Sequence, residues 1–217
     1  MIDNKKKILI GVLGVQGDIE ENITATRNAL KDMEAAGDVT SVVYPEQIER
    51  VDGLILPGGE STVMSSLVAI HHGGIFQAIK KVISNDLPVL GTCAGMIMLS
   101  RRAYDRVVGE TKQQLLGSLD AEVERNAFGR QSESFEADLE MPLLGKESFR
   151  GVFIRSPVLN KVGNGVEVLS KINGKIVGVK QNNIIATAFH PELSGDTRLH
   201  RKFVEGVIET KSHQKTK

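Results

Sequence analysis

The chain carries one cysteine in 217 residues, which excludes an internal disulfide and fits a reducing, cytoplasmic compartment. No Cys/His cluster has metal-ligand spacing, so no metal is expected. An excess of charge is missing as well, because 27 basic and 27 acidic side chains cancel. That removes the electrostatic footprint that nucleic acid or an anionic membrane surface would require, and leaves small molecules or proteins as partners. No apolar run approaches the roughly 18 residues of a membrane span. The start, Lys5-Lys6-Lys7 followed by Ile8 to Leu13, has the outline of a signal peptide, but it passes into Gln16-Gly17-Asp18 with no small-residue cleavage site. It is read as a first buried strand. Repeats, low-complexity tracts and linkers are also lacking. The expectation is one domain over residues 1–210, with a polar tail at 211–217.

What is present alternates. Asp18 and Glu21 have capping-box spacing, and Ile19, Ile23, Leu30 and Met33 recur at helical intervals until Gly37 supplies a stop. Val39 to Tyr44, Gly53 to Leu56 and Val89-Leu90 read as further short apolar strands separated by helices. Such alternation predicts an α/β fold, a three-layer, doubly wound, mostly parallel sheet. After about Ala103 the pattern changes. Val166 to Leu169, Lys175 to Val179 and Ile184 to Phe189 read as strands joined by the tight-turn dipeptides Asn173-Gly174 and Asn182-Asn183, an antiparallel extension of the sheet. Leu199, Phe203, Val207 and Ile208 share one face of a closing helix.

The single cysteine stands in Gly91-Thr92-Cys93-Ala94-Gly95, between an apolar strand and an apolar helical run. A nucleophile elbow has this layout: Gly91 and Gly95 fall where side chains would clash, and the thiol faces a helix N-terminus beside the Ala94 amide. A buried structural cysteine is the alternative. Thiol catalysis needs a base, since a free cysteine with a pKa near ~8.5 is mostly protonated at pH 7. His71, His72, His200 and His213 lie in polar or charged surroundings and read as solvated. His190 ends an apolar strand and precedes Pro191, which biases it toward an extended conformation in which His190 and Glu192 point the same way. The carboxylate could then hold the imidazole in one tautomer. A third segment, Leu54 to Thr62, runs from a strand into Pro57-Gly58-Gly59-Glu60-Ser61 and frees backbone N–H groups to face a ligand. Gly11, Gly14 and Gly17 lack dinucleotide-binding spacing and no Walker motif occurs, so no nucleotide or other cofactor is expected.

Pro57 to Ser61, Gly91 to Gly95 and Phe189-His190-Pro191-Glu192, in this order, resemble the three signatures of class I (triad) glutamine amidotransferases. Gly11 to Gly17, Glu124 to Gln131, Ser134 to Asp138 and Gly151 to Pro157 narrow the likeness to the glutaminase subunits of pyridoxal 5′-phosphate synthases. The resemblance implies a flavodoxin-like fold and hydrolysis of L-glutamine. Cys93 would be the nucleophile, with His190 and Glu192 completing the triad, and Gly59 and Ala94 would form the oxyanion hole. Glutamine contacts would come from Gly59, Glu60, Ser61, Arg125, Ile154 and Arg155. A guanidinium fork suits an amino-acid carboxylate, a role given to Arg155. The implied partner is a barrel-shaped synthase subunit that uses the ammonia, in a hetero-oligomeric complex. Rival readings are a glutaminase subunit for the histidine, anthranilate or purine pathway, disfavoured by Glu124 to Gln131, or a non-catalytic binding subunit of the same fold. Two departures, Asn22 where many relatives have His and a longer 100–124 segment, bear on partner contacts.

Overall fold

Parallel strands covered on both faces read as unbroken apolar runs, and four such runs form the middle of this molecule. A computed structural model describes residues 7–70, 74–105, 107–128 and 134–213. His71, His72, Lys5, Lys6, Gly129 to Gln131 and the end of the expected tail lie outside the described residues. The first half comprises β1 (Ile8–Leu13), α1 (Ile19–Asp32), β2 (Gly37–Val42), α2 (Pro45–Ile48), β3 (Gly53–Leu56), α3 (Ser61–Ile70), α4 (Ile75–Ser84), β4 (Val89–Thr92) and α5 (Ala94–Leu99). Then follow β5 (Ser100–Asp105), β6 (Gly109–Glu110), β7 (Leu119–Glu124), β8 (Ser134–Leu139), β9 (Phe149–Ile154), β10 (Val158–Val162), β11 (Glu167–Ile172), β12 (Lys175–Gln181), β13 (Ile184–Thr187) and α6 (Arg198–His213).

The main sheet runs β2-β1-β3-β4-β13-β12-β10-β7-β5-β6, with β11 paired to β12. Strands β2, β1, β3, β4 and β13 are mutually parallel. Beyond them the pairing turns antiparallel at β12, except that β5 and β7 are parallel. The α/β fold with its antiparallel extension is thus as expected, but β13 belongs to the parallel half. Its side chains are buried throughout, as a strand flanked on both faces demands. Helices α1 and α6 pack on each other, while α3, α4 and α5 pack together, giving the two outer layers. Ile10, Val12, Leu54, Ile55, Leu56, Val89 and Leu90 are all buried between them.

Several boundaries differ from the sequence reading. Helix α1 ends at Asp32, and Gly37 opens β2 rather than stopping the helix. Strand β2 ends at Val42 because Pro45 starts α2 with Tyr44 as its cap. Ile208 is 36% exposed, and Val204 takes the buried place beside Leu199, Phe203 and Val207. Helix α6 continues through Lys211 to His213, where Lys211 Nζ bonds Asp52 Oδ2 at 2.6 Å, so these residues are structured rather than tail. Strands β5 to β10, including the separate two-stranded sheet β8-β9, have no counterpart in the sequence reading.

Candidate active site

In a doubly wound sheet, ligands collect outside the carboxyl ends of the parallel strands, near the point where strand order reverses. Here the order reverses at β1 and β3, and the chain leaves the ends of β1, β3, β4 and β13 in four adjacent loops. They deliver Gln16 and Asp18, Gly58 to Ser61, Cys93, and His190 respectively. A cleft of about 220 Å³ opens there, lined among others by Gly59, Glu60, Ser61, Cys93, Arg125, Ile154, Arg155 and His190. That is below the roughly 300–1,000 Å³ of sites for drug-sized ligands and suits a molecule the size of one amino acid. Of the expected site residues, only Ala94 and Glu192 do not line it: Ala94 is wholly buried at the start of α5, and the Glu192 side chain lies behind His190.

Cys93 sits at φ 47°, ψ −101°, a conformation a non-glycine residue adopts only when its surroundings enforce it. Its N–H donates to Thr187 O at 2.8 Å and its carbonyl accepts from Ile97 at 3.2 Å, which locks the elbow to β13 and α5. The turn fits against β3 only because Gly95 has no Cβ; one added there would lie 2.0 Å from Leu56 O. Arg155, also at the cleft, has positive φ as well, a second side chain held in the left-handed region at this site. Neither the Gly59 nor the Ala94 N–H has an acceptor among the described residues. Amides left without a partner beside the thiol can receive a developing oxyanion.

His190 Nδ1 lies 2.8 Å from Glu192 Oε1, the contact expected from the sequence, but the route differs. Pro191 to Leu193 form a 3-10 turn, closed by Leu193 N–H to His190 O at 3.2 Å, rather than an extended segment. Proline is preorganised for the first position of such a turn, and the turn swings the carboxylate back to the ring. Burial pulls the imidazole's pKa down, but hydrogen bonds with Asp18, Cys93 and Glu192 outweigh it and push His190 up to about 12. Burial pushes the Glu192 carboxyl up, against the pull of His190. The same Nδ1 is 3.0 Å from Asp18 Oδ2. Asp18, His190 and Glu192 are metal-ligating types whose donor atoms fall within 4.8 Å of one another, a grouping that linear spacing could not reveal. Their contacts are hydrogen-bond lengths to a ring N–H, which makes the group an orienting cluster.

Glu60 and Arg125, both expected to touch substrate, pair with each other at 2.8 Å, and Thr62 donates twice more to the same oxygen. Burial raises the Glu60 carboxyl, but these bonds and the charges of Arg125 and Arg155 bring it below its ordinary value. Arg155 stands exposed at the rim beside half-exposed Ile154, both at the end of β9. The small sheet has a second task, since Val152 O accepts the His190 N–H at 2.8 Å. The strict alternation of buried Phe149, Gly151 and Phe153 in β9 is the sequence signal that would have found it. Gln16 and Asp18 were also missed. The side-chain oxygen of Gln16 accepts the Glu60 N–H at 3.0 Å, tying the first loop to the double-glycine turn.

A thiol on a strained elbow, a buried imidazole against it, a carboxylate behind the imidazole and free amides alongside make up the apparatus of a thiol-dependent acyl- or amide-transfer enzyme on an α/β fold. Residues 12–209 match the sequence profile of the SNO glutamine amidotransferase family, and the chain belongs to that family. It is 46% identical over 202 residues to the pyridoxal 5′-phosphate synthase subunit PdxT of Nitrosopumilus maritimus, covering 93% of this chain and 98% of that one. The PdxT of Thermococcus kodakarensis is 44% identical over 203 residues, 93% of this chain and all of the relative. Among solved structures, a glutamine amidotransferase superposes with a TM-score of 0.77 at 43% identity, over 91% of this chain and 98% of that one.

Proposed function

We propose that this chain hydrolyses L-glutamine to L-glutamate and ammonia and passes the ammonia to a synthase subunit that makes pyridoxal 5′-phosphate. The observation that carries the reading is His190 held between Cys93 and Glu192 at the mouth of an amino-acid-sized cleft. Family membership and relatives named as pyridoxal 5′-phosphate synthase subunits support the pathway. The Cys93 proton rests on His190, whose neighbouring carboxylates and thiolate favour the imidazolium, and the thiolate attacks the side-chain amide carbon of glutamine. The amides of Gly59 and Ala94 hold the tetrahedral oxyanion, a contribution of roughly 3 kcal/mol per donor in comparable sites. His190 then protonates the departing nitrogen as ammonia leaves, and it activates the water that releases glutamate from the thioester. Arg155 holds the substrate carboxylate at the rim; Glu60, Ser61, Arg125 and Ile154 complete the pocket. The chain through the end of α6 at His213 acts as one glutaminase domain in a reducing cytosol. No helix among the described residues is long and apolar enough to cross a membrane.

Ammonia would be lost without a consumer, and the relatives are named as subunits of a synthase, so a barrel-shaped synthase subunit is the partner. Asn22 is 0% exposed and its side chain donates to Asp18 O at 2.8 Å, so in this chain it serves the first turn of α1. The test is to treat the chain with a glutamine-mimicking electrophile and follow glutamate release with and without the synthase subunit. The expected result is one label per chain on Cys93, the sole thiol, with turnover that rises when the partner is added. Labelling elsewhere, or none at all, would contradict the assignment.

A further inference from the structure

We propose that Asp18 is a second positioning carboxylate for His190, sharing the Nδ1 proton with Glu192, so that the base of this enzyme works between two acids rather than in a simple triad. The inference rests on the reading of His190 as the catalytic base. By sequence Asp18 is a helix cap, yet its side chain makes no cap hydrogen bond with α1. It turns the other way and brings Oδ2 to 3.0 Å from His190 Nδ1. Its backbone is pinned from both sides. The Asp18 N–H donates to Gly58 O at 3.1 Å, and its carbonyl accepts from the Asn22 backbone at 3.2 Å and the Asn22 side chain at 2.8 Å. Gly58 makes room for the meeting, since a Cβ there would lie 2.4 Å from His190 Cε1 and 2.6 Å from Asp18 Oδ2. Three separate elements therefore converge on one ring: the start of α1 with Asp18, the 3-10 turn with Glu192, and the elbow with Cys93.

A ring nitrogen carries at most one proton; here it has Glu192 Oε1 in hydrogen-bond geometry at 2.8 Å and Asp18 Oδ2 beside it at 3.0 Å, so the two carboxylates compete for it. When His190 is neutral they divide one N–H; when it becomes an imidazolium both anions face the cation. The second anion thus stabilises the charged form, which appears as the thiol gives up its proton. The two are not equivalent. The Glu192 side chain is 0% exposed, whereas that of Asp18 is 34% exposed and lines the cleft. Glu192 fixes the ring from the interior, and Asp18 adds charge from the side where substrate enters.

The experiment compares wild type, Asp18→Asn, Asp18→Ser, Glu192→Gln and Asp18→Asn/Glu192→Gln with the synthase subunit present, alongside Cys93→Ala as the blank. Serine is a good helix cap, so a role at the start of α1 would survive Asp18→Ser. The expected result for both Asp18 variants is a kcat for glutamine lowered about tenfold with KM within about twofold. The imidazole NMR signals of His190 should titrate at lower pH by about one unit than in wild type. The double variant should lose more than the product of the single losses, because either carboxylate alone can take the whole N–H. Wild-type kcat and an unmoved His190 titration in Asp18→Asn would overturn the proposal, as would recovery in Asp18→Ser. Wild-type turnover in Cys93→Ala would instead overturn the triad reading, while the His190 titration would still decide the role of Asp18.

Discussion

Two histidines ten residues apart are both buried, and the molecule treats them in opposite ways. His190 has Asp18, Glu192 and Cys93 against its ring and is pushed up to about 12. His200, on α6, is 0% exposed, neither of its ring nitrogens has a partner among the described residues, and burial alone pulls it down to about 4. Burial by itself makes an imidazole a neutral piece of core; burial beside anions makes it a base. The location in the fold decides which. His190 leaves a parallel strand at its carboxyl end, where the loops after β1, β3 and β4 converge, whereas His200 occupies the buried stripe of a helix with Leu199, Phe203, Val204 and Val207.

The sharpest way to break this contrast is to remove each ring in turn. His190→Ala should lower glutamine turnover by about 10⁴- to 10⁶-fold, since triad members lost singly cost on that order, while His200→Leu should leave turnover within about twofold. Equal losses in steady-state assays would mean that the two sites are not distinct.

The second effect is on stability, and its sign differs between the two rings. An unfolded histidine titrates near ~6.5. His200 folds with a value of about 4, so below pH 6.5 the unfolded chain binds a proton that the native chain refuses. Stability should therefore fall by about 1.4 kcal/mol per pH unit on going down from 6.5, reaching about 3 kcal/mol near pH 4. His200→Leu should remove that slope in denaturant titrations between pH 7 and 4.5, and an unchanged slope would show that other groups cause it. His190, raised to about 12, acts in the other direction: its contribution is fully present below pH 6.5 and is lost as the pH rises above it.

These histidines also show what could be read from the sequence. The elbow, the double-glycine turn and the His-Pro-Glu segment were legible because buried parallel strands are unbroken apolar runs and the residues that end them stand out. His200 was read as solvated because Arg198 and Arg201 flank it; yet Arg198 turns away to Asp196 and to the carbonyls of Glu147 and Ser148, leaving His200 in the helical stripe. The stripe was readable, since 200 stands four residues before buried Val204. Asp18 was not, because a helix cap and a ligand of a residue 172 positions away look identical in one dimension. The antiparallel half was half legible. Its hairpin Asn173-Gly174 has both residues at positive φ, as its dipeptide promised; β5 and β10 mix polar and apolar residues with little pattern, whereas the strict alternation of buried Leu119, Ala121 and Val123 in β7 is a strand signal that went unread.

The smallest kinetic effect separates orientation from binding within the site. Glu192→Gln should act chiefly on kcat, because the carboxylate supports the imidazolium in the transition state, while Arg155→Ala should raise KM about tenfold with kcat little changed. The same kinetic pattern in both variants would erase the division between the buried side of His190 and the rim.

The central claim is that Cys93 releases ammonia in this chain for use in another. The most direct measurement is pyridoxal 5′-phosphate formation by Cys93→Ala in complex with the synthase subunit, supplied first with glutamine and then with an ammonium salt. No product from glutamine and restored product from ammonium is the predicted result. Product from glutamine at the wild-type rate, or failure of ammonium to restore it while the wild-type complex works on glutamine, would contradict the account.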